Sequence, residues 1–323
     1  MKRWKLAVLV CAVVTCACLL LAGCGSQNYK PAAKEQTVPA SALGAAGTLR
    51  VGVDASHAPL AGKPKNDPNG KTMGIDVDVA ECLADEMGLK LEIVDIEGDA
   101  QEALDSGKVD VVLGVDASDT DGTYWKSEPY MVTGVALFGT SAENSVPTLN
   151  SKPKIAAKAP TTVSWRVTNL FGDGSLISKE STTEAFEALI SGSSRYVAAD
   201  AVVGTYNAKT GKYDAKIVAL LGDASGYCAA VASNNTELQS AVATAIGKLV
   251  SGGIIDVIEA EYLGSPLNLS QVAIVKSQLS DSNSSAGSAA ASGASAASAS
   301  SAAAASDAAA STEAASAGSA TQQ

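Results

Sequence analysis

Three carboxylates stand where short apolar runs end. Asp54 follows the run from Thr48, Asp116 follows Val109–Val115, and Asp200 closes Arg195–Asp200. A carboxylate at a strand's carboxyl end either faces the crevice where ligands collect in α/β sheets or caps the turn behind it. Both readings stay open for Asp54. For Asp200 the second reading makes it the N-cap of the next helix. His57 is the only histidine; it is either a ring that stacks on a ligand or a solvated side chain. Thr161 and Thr162 open a helical pattern behind Pro160. Free N–H groups and the dipole at such a start favour an anion such as a carboxylate, and ordinary threonine capping accounts for the same residues.

Asp116, Asp119 and Asp121 gather negative charge after the third apolar run. Asp119, Asp121, Gly122 and Glu128 also fall at positions 3, 5, 6 and 12 of a calcium-loop spacing. Position 1 would be Ala117, which has no ligating side chain, so no metal is expected. One histidine excludes a multi-histidine zinc site. It leaves an acyl-transfer triad open in principle, yet no such constellation is evident. Lys and Arg total 23 against 34 Asp and Glu, a net charge of −11, which argues against a nucleic-acid partner. No cofactor motif is present.

The ends belong to other tasks. Lys2, Arg3 and Lys5 precede an apolar stretch from Leu6 to Ala22 that ends in Leu21-Ala22-Gly23-Cys24. This reads as a signal peptide over residues 1–23, with Cys24 acylated to anchor the mature chain on the outer face of the cell membrane. Residues 24–47 mix Pro, Ala, Ser and charge without an apolar period and read as a flexible tether. Residues 281–323 hold 19 Ala and 13 Ser and no large apolar side chain, so they read as disordered. The three positive charges of the signal and the three negative charges of the tail cancel. Residues 24–280 therefore carry the net −11 themselves. Cys82 and Cys228 are the cysteines left once the signal and Cys24 are set aside, and an exported pair makes a disulfide possible.

The remainder alternates strand and helix patterns. Strands are expected at Thr48–Asp54, Leu89–Asp95 and Val109–Val115, with helices at Ile75–Met87 and Ala100–Asp105 between them. The second half repeats the rhythm. Strands are expected at Lys154–Lys158, Arg195–Asp200, Lys216–Leu220 and Tyr227–Val231. Helices are expected at Thr161–Phe171, Thr183–Ser191, Ala201–Ala208 and Glu237–Ser251, and Ile254–Leu263 closes the domain. Such alternation predicts an α/β protein with mostly parallel sheets in two lobes.

The ordered motifs resemble the polar amino acid branch of the bacterial extracellular solute-binding proteins, family 3, the receptor part of an ABC importer. They are Leu49-Arg-Val-Gly-Val-Asp54 with Ala58-Pro59, Gly74-Ile-Asp-Val-Asp78, Leu104-Asp-Ser-Gly-Lys-Val-Asp-Val-Val112 and Ser127-Glu-Pro-Tyr130. Ala159-Pro-Thr-Thr162, Tyr196-Val-Ala-Ala-Asp200, Lys248–Gly253 and Tyr262-Leu-Gly264 follow in the second half. The resemblance covers residues 48–264. It implies a two-lobed clamshell of the type II periplasmic-binding-protein class. Lobe 1 would be residues 48–136 and 225–264, and lobe 2 residues 137–224. The chain would cross near Gly134–Gly139 and return near Gly222–Tyr227. A C-terminal extension would fill 265–280. The implied function is capture of an amino acid or related amine in the cleft by a monomeric, non-enzymatic receptor, which hands it to permease and ATPase subunits. Asp54 would meet the ligand's polar end and His57 would stack on it. Thr161 and Thr162 would take its carboxylate, and Asp200 its ammonium.

One departure matters. Relatives carry an arginine soon after the third strand to clamp the carboxylate. Here Val115–Lys126 contains none, and beyond the signal the arginines are Arg50, Arg166 and Arg195. Leu60 also stands where an aromatic is usual. A cationic amino acid, an amine or a small peptide therefore enters as ligand. Two other functions stay open: a sensor or surface lipoprotein with a decayed pocket, and a dehydratase-like enzyme on the same fold.

Overall fold

The computed structural model describes residues 34–64 and 66–276. The signal, Cys24 and the Ala/Ser-rich tail lie outside the described residues. The first sheet contains β1 (Thr48–Val53), β2 (Lys90–Asp95), β3 (Val111–Asp116), β4 (Trp125–Lys126), β5 (Met131–Thr133) and β11 (Ser225–Val231). Its order is β2-β1-β3-β11-β4, with β5 also paired to β11. The second contains β6 (Val135–Thr140), β7 (Ile155–Lys158), β8 (Leu176–Lys179), β9 (Tyr196–Asp200) and β10 (Ala215–Leu220), in the order β10-β6-β9-β7-β8. The change of sheet falls at Gly134, and the return between Leu220 and Ser225.

The helices are α1 (Ile75–Glu86), α2 (Ala100–Asp105), α3 (Thr162–Phe171), α4 (Thr182–Ile190), α5 (Ala201–Thr210), α6 (Thr236–Ser251) and α7 (Ile254–Leu263). Strand alternation sends side chains to two faces of each sheet. In the first, Leu49, Val51, Val53, Val111, Leu113, Ala229 and Val231 join the core under α1, α6 and α7. Val112, Val115 and Ala230 pack with Ala103 and Leu104 of α2 on the other face. In the second, Phe138, Val197 and Ala199 meet α4 and α5, while Leu137, Ile155 and Ala198 meet α3.

The expectation of mostly parallel sheets is overturned. β1 pairs in parallel with β2 and β3, and β7 with β8 and β9. All pairs made by β11, β6 and β10 are antiparallel. β6 and β11 enter directly from the other lobe, without the crossover helix that makes neighbours parallel, and β10 pairs with β6 alone. β4, β5, β6 and β8 were not among the expected strands. β4 and β5 are too short to show a period and are defined by their pairing to β11.

Two further expectations are corrected. From Lys34 onward the supposed tether is packed on lobe 1. Val38, Ala42 and Leu43 are buried in its core, Thr37 donates its N–H to Met87 O at 3.1 Å, and Lys34 pairs with Glu86 at 2.6 Å. The disulfide does not form: both thiols are free. Cys82 packs on the core under α1. Cys228 lies opposite Val115 in β11, whose flanking Tyr227 and Ala229 take that core's side, so it points to the other face of the sheet. Burial pushes the Cys228 thiol up to about 11 and raises that of Cys82, so neither is a nucleophilic thiolate at neutral pH.

After α7 the chain runs onto lobe 2. Glu259 accepts the N–H of Leu267, and Leu269 enters the core under α4 and α5. Val275 donates its N–H to Leu220 O at 2.8 Å. Within that core Phe186 stacks on Tyr213 and meets Phe138 edge-on. A Cβ on Gly204 would come 2.3 Å from Phe138 Cε2. Gly204→Ala should therefore destabilise the protein by about 1–3 kcal/mol through overpacking, read from denaturant unfolding.

Candidate functional site at the lobe boundary

The loop after β1 is built around Asp54. Its Oδ1 accepts from Ser56 N at 2.9 Å and Ser56 Oγ at 2.6 Å, and Oδ2 lies 2.9 Å from His57 Nδ1. Burial would raise this carboxyl, but those hydrogen bonds outweigh it and hold the group below its usual range. Asp54 thus caps its own turn. His57 remains 64% exposed.

The same loop feeds α1. Its first N–H groups go to backbone carbonyls, Ile75 N to Pro59 O at 2.9 Å and Asp76 N to Leu60 O at 2.8 Å. The approach is so close that a Cβ on Gly74, with φ +145°, would stand 2.3 Å from Leu60 O. Glycine is required there. This docking buries Asp76, which is 2% exposed. Its Oδ1 accepts from Tyr130 Oη at 2.7 Å, and Tyr130 Oη accepts from Gly114 N at 2.9 Å. Burial pushes the Asp76 carboxyl up to about 6, opposed by the Tyr130 hydrogen bond and the nearby His57.

β3 carries a bulge at this point. Asp116 and Val115 pair with Tyr227 and Cys228, but Val112 pairs with Ala230, so Leu113 and Gly114 together face Ala229. Gly114 has φ +78°. The extra residue moves Val115 to the face of Val112, and such bulges commonly re-aim side chains beside sites. Asp116 beyond it accepts from Ser118 N and Ser118 Oγ at 2.8 Å each, and from Ser225 Oγ. Lys126 Nζ donates to the carbonyls of Ala117 (3.0 Å) and Asp119, tying the acidic loop from behind. Asp119 accepts from Asp121 N and Tyr124 Oη. Among the described residues no three acidic, cysteine or histidine side chains are gathered to hold a metal.

Lobe 2 supplies the other side. Thr161 caps α3 in a reciprocal box with Ser164, Thr161 Oγ1 accepting from Ser164 N at 3.2 Å and Ser164 Oγ accepting from Thr161 N at 2.9 Å. Thr162 is the exposed first residue of the helix. At a helix start the next N–H groups lack intrahelical acceptors. Asp200 Oδ1 accepts from Val202 N at 2.9 Å and Val203 N at 3.0 Å, capping α5. Its carboxylate also accepts from Thr133 Oγ1 at 2.5 Å, and the hydroxyl of Tyr227 stands beside it. Thr133 and Tyr227 belong to the first sheet, so this lobe-2 carboxylate is held by lobe 1. Burial raises its pKa against those hydrogen bonds.

Two of the three arginines are committed elsewhere. Arg50 pairs with buried Asp110, and Arg195 with Glu143. Arg166 is exposed on α3, its guanidinium carbon 3.7 Å from the point where a Cβ on Gly222 would stand.

The structure thus brings Asp200 against first-sheet residues, places Asp54 and His57 after the end of β1, and makes Asp116 the last residue of β3. Asp76, with Tyr130, Thr133 and Tyr227, was not among the expected site residues. The signal was present: a charged residue beside Ile75, on the stripe that continues through Val79, Ala80 and Leu83.

Comparison with known proteins follows the same lines. The sequence profile of the bacterial extracellular solute-binding proteins, family 3, matches residues 49–265. The chain belongs to that family. A probable amino-acid ABC transporter-binding protein of Haemophilus influenzae is 30% identical over 102 residues, which span 31% of this chain and 38% of that protein. Among solved structures, an ancestral cationic amino acid solute binding protein is 26% identical with a TM-score of 0.59, covering 67% of this chain and 96% of its own. The L-cystine solute receptor of Neisseria gonorrhoeae, at 22% identity, shares the fold with a TM-score of 0.59 over 68% of this chain and 93% of its own. Family membership places the working protein outside the cytoplasm.

Proposed function

We propose that this protein is the extracytoplasmic solute-binding lipoprotein of an ABC importer. It captures an amino acid, or a related small solute bearing an amine, between its lobes. The observation that carries the reading is Asp200: a partly buried carboxylate at the end of a lobe-2 strand, held by Thr133 of lobe 1 with the Tyr227 hydroxyl beside it. A ligand ammonium is its natural partner. The start of α3 at Thr161 and Thr162 takes the opposite charge of the ligand. Asp54, His57 and Asp116 rim lobe 1. The lobes close about Gly134 and residues 221–224, and permease and ATPase subunits then receive the ligand. Cys24 anchors the monomer by its acyl chains.

The likeness to an ancestral cationic amino acid binder supports a cationic ligand. So does the lack of an arginine over 115–126. The second reading, a sensor with a decayed pocket, draws on the commitment of Arg50 and Arg195 to structural pairs.

A thermal-shift screen separates the readings. The panel holds the common amino acids, their decarboxylated amines and short peptides. A ligand at a hundred times its Kd adds about 2.7 kcal/mol, a shift of several degrees. A shift with amine-bearing solutes is expected. Silence across the panel would favour the decayed pocket.

A further inference from the structure

Asp76 is an expensive residue. It is almost fully buried at the start of α1, where it lies beneath the 54–60 loop. Its Oδ1 has one donor, Tyr130. Its Oδ2 has none among the described residues. That oxygen stands 2.5 Å from where a Cβ on Gly114 would be, so the bulge glycine makes room for it. Leu60 Cδ1 is 3.9 Å from the same point. The oxygen is not sealed in: among the described residues the only fully enclosed side-chain polar atom without a partner is Ser194 Oγ. The place is the carboxyl ends of β1 and β3, where ligands of open α/β sheets collect. A carboxylate kept largely out of water with an unused oxygen costs stability unless something completes it.

The charges around it supply no completion. His57, from the loop after β1, is bonded to Asp54. Tyr130 and Tyr227 bring hydroxyls, and behind Tyr227 stands another carboxylate, Asp200. β3 contributes Asp116, bonded to Ser118 and Ser225. On the helices packed against α1, Lys248 is committed to Glu86 and Tyr262 to Asp78.

We propose that Asp76 is a ligand-binding residue whose free Oδ2 accepts a hydrogen bond from a protonated amine or guanidinium of the solute, in addition to the ammonium assigned to Asp200. This rests on the receptor reading above and narrows it to solutes with two cationic groups or one extended one. A carboxyl pushed up to about 6 is half protonated in mildly acidic solution, so binding a cation there releases a proton. Affinity for such a ligand then falls as pH drops below that value.

The test is calorimetric titration of the full-length protein with L-arginine, agmatine and L-glutamine at pH 5 and pH 7.5. Wild-type protein should bind L-arginine or agmatine roughly tenfold more tightly at the higher pH. Asp76→Asn keeps an acceptor for Tyr130 but loses the charge. It should weaken the cationic ligand at least tenfold and flatten its pH dependence. Tyr130→Phe keeps the carboxylate and deletes its donor, so the fall in affinity should move to higher pH. Cation affinity and pH slope unchanged in Asp76→Asn would overturn the proposal, as would equal losses for L-glutamine and the cations, the mark of a structural role. A wild-type protein that binds L-glutamine alone overturns this proposal and leaves the receptor reading standing. Silence with all three, together with silence across the wider panel, overturns both.

Discussion

Asp200→Ala is expected to abolish binding of an amine-bearing ligand and to lower the melting temperature of the ligand-free protein by several degrees. The sequence alone suggests that ligand-free melting would barely change. The structure corrects this, because the same carboxylate caps α5 and accepts from Thr133. Loss of a cap costs about 0.5–2 kcal/mol. The Thr133 hydroxyl loses its acceptor, at about 1–3 kcal/mol if it stays dry. Relief from burying the charge offsets part of this, leaving a net loss of roughly 1–3 kcal/mol, or about 2–10 °C.

Asp200→Asn separates the two roles. It retains an acceptor for the helix N–H groups but carries no charge for an ammonium. Stripping one partner from a buried pair costs about 3–5 kcal/mol, which is some hundredfold or more in affinity. Burial raises the folded-state pKa of Asp200, so the folded chain holds this proton more tightly than the unfolded one. The contribution favours folding below the ordinary carboxylate range and is lost as pH rises through the folded value. Asp200→Asn should therefore compare better with wild type at pH 7 than at pH 4. Wild-type affinity in the asparagine variant would remove Asp200 from the site.

The largest loss of stability is expected from Asp110→Ala. Its side chain is 5% exposed and accepts from Arg50 Nη2 at 2.7 Å, Arg50 Nε at 3.1 Å, Arg50 N at 2.9 Å and Gly44 N at 2.8 Å. Alanine would leave the Arg50 guanidinium partly buried without its counter-charge, at about 3–5 kcal/mol. The pair also fastens residue 44 and β1 to the start of β3. A urea midpoint within experimental error of wild type would refute this account of the pair.

Much of the scaffold was legible because its cues are local. The helix over Ile75–Glu86 appears where the apolar spacing puts it, and Ala100–Asp105 forms the short helix expected ahead of Gly107. The antiparallel strands were not legible. β4 and β5 exist only because β11 returns from the other lobe to pair with them, and no local pattern encodes that return. The packed segment from Lys34 was hidden for the same reason: Val38 and Leu43 are scattered apolar residues without a period, and lobe 1 alone gives them a place. At the site, residue type identified strand-end acids such as Asp54 and Asp200. It could not show that each caps its own turn or helix. Asp76 escaped because its meaning lies in burial, and burial depends on the Gly74 docking and the β3 bulge.

Small-angle X-ray scattering with and without the strongest ligand of the panel tests the central claim most directly. A receptor that captures its solute between two lobes should bind it saturably and become more compact, with a smaller radius of gyration at saturation. Saturable binding without any change in scattering would contradict capture by lobe closure, and would move the ligand out of the cleft.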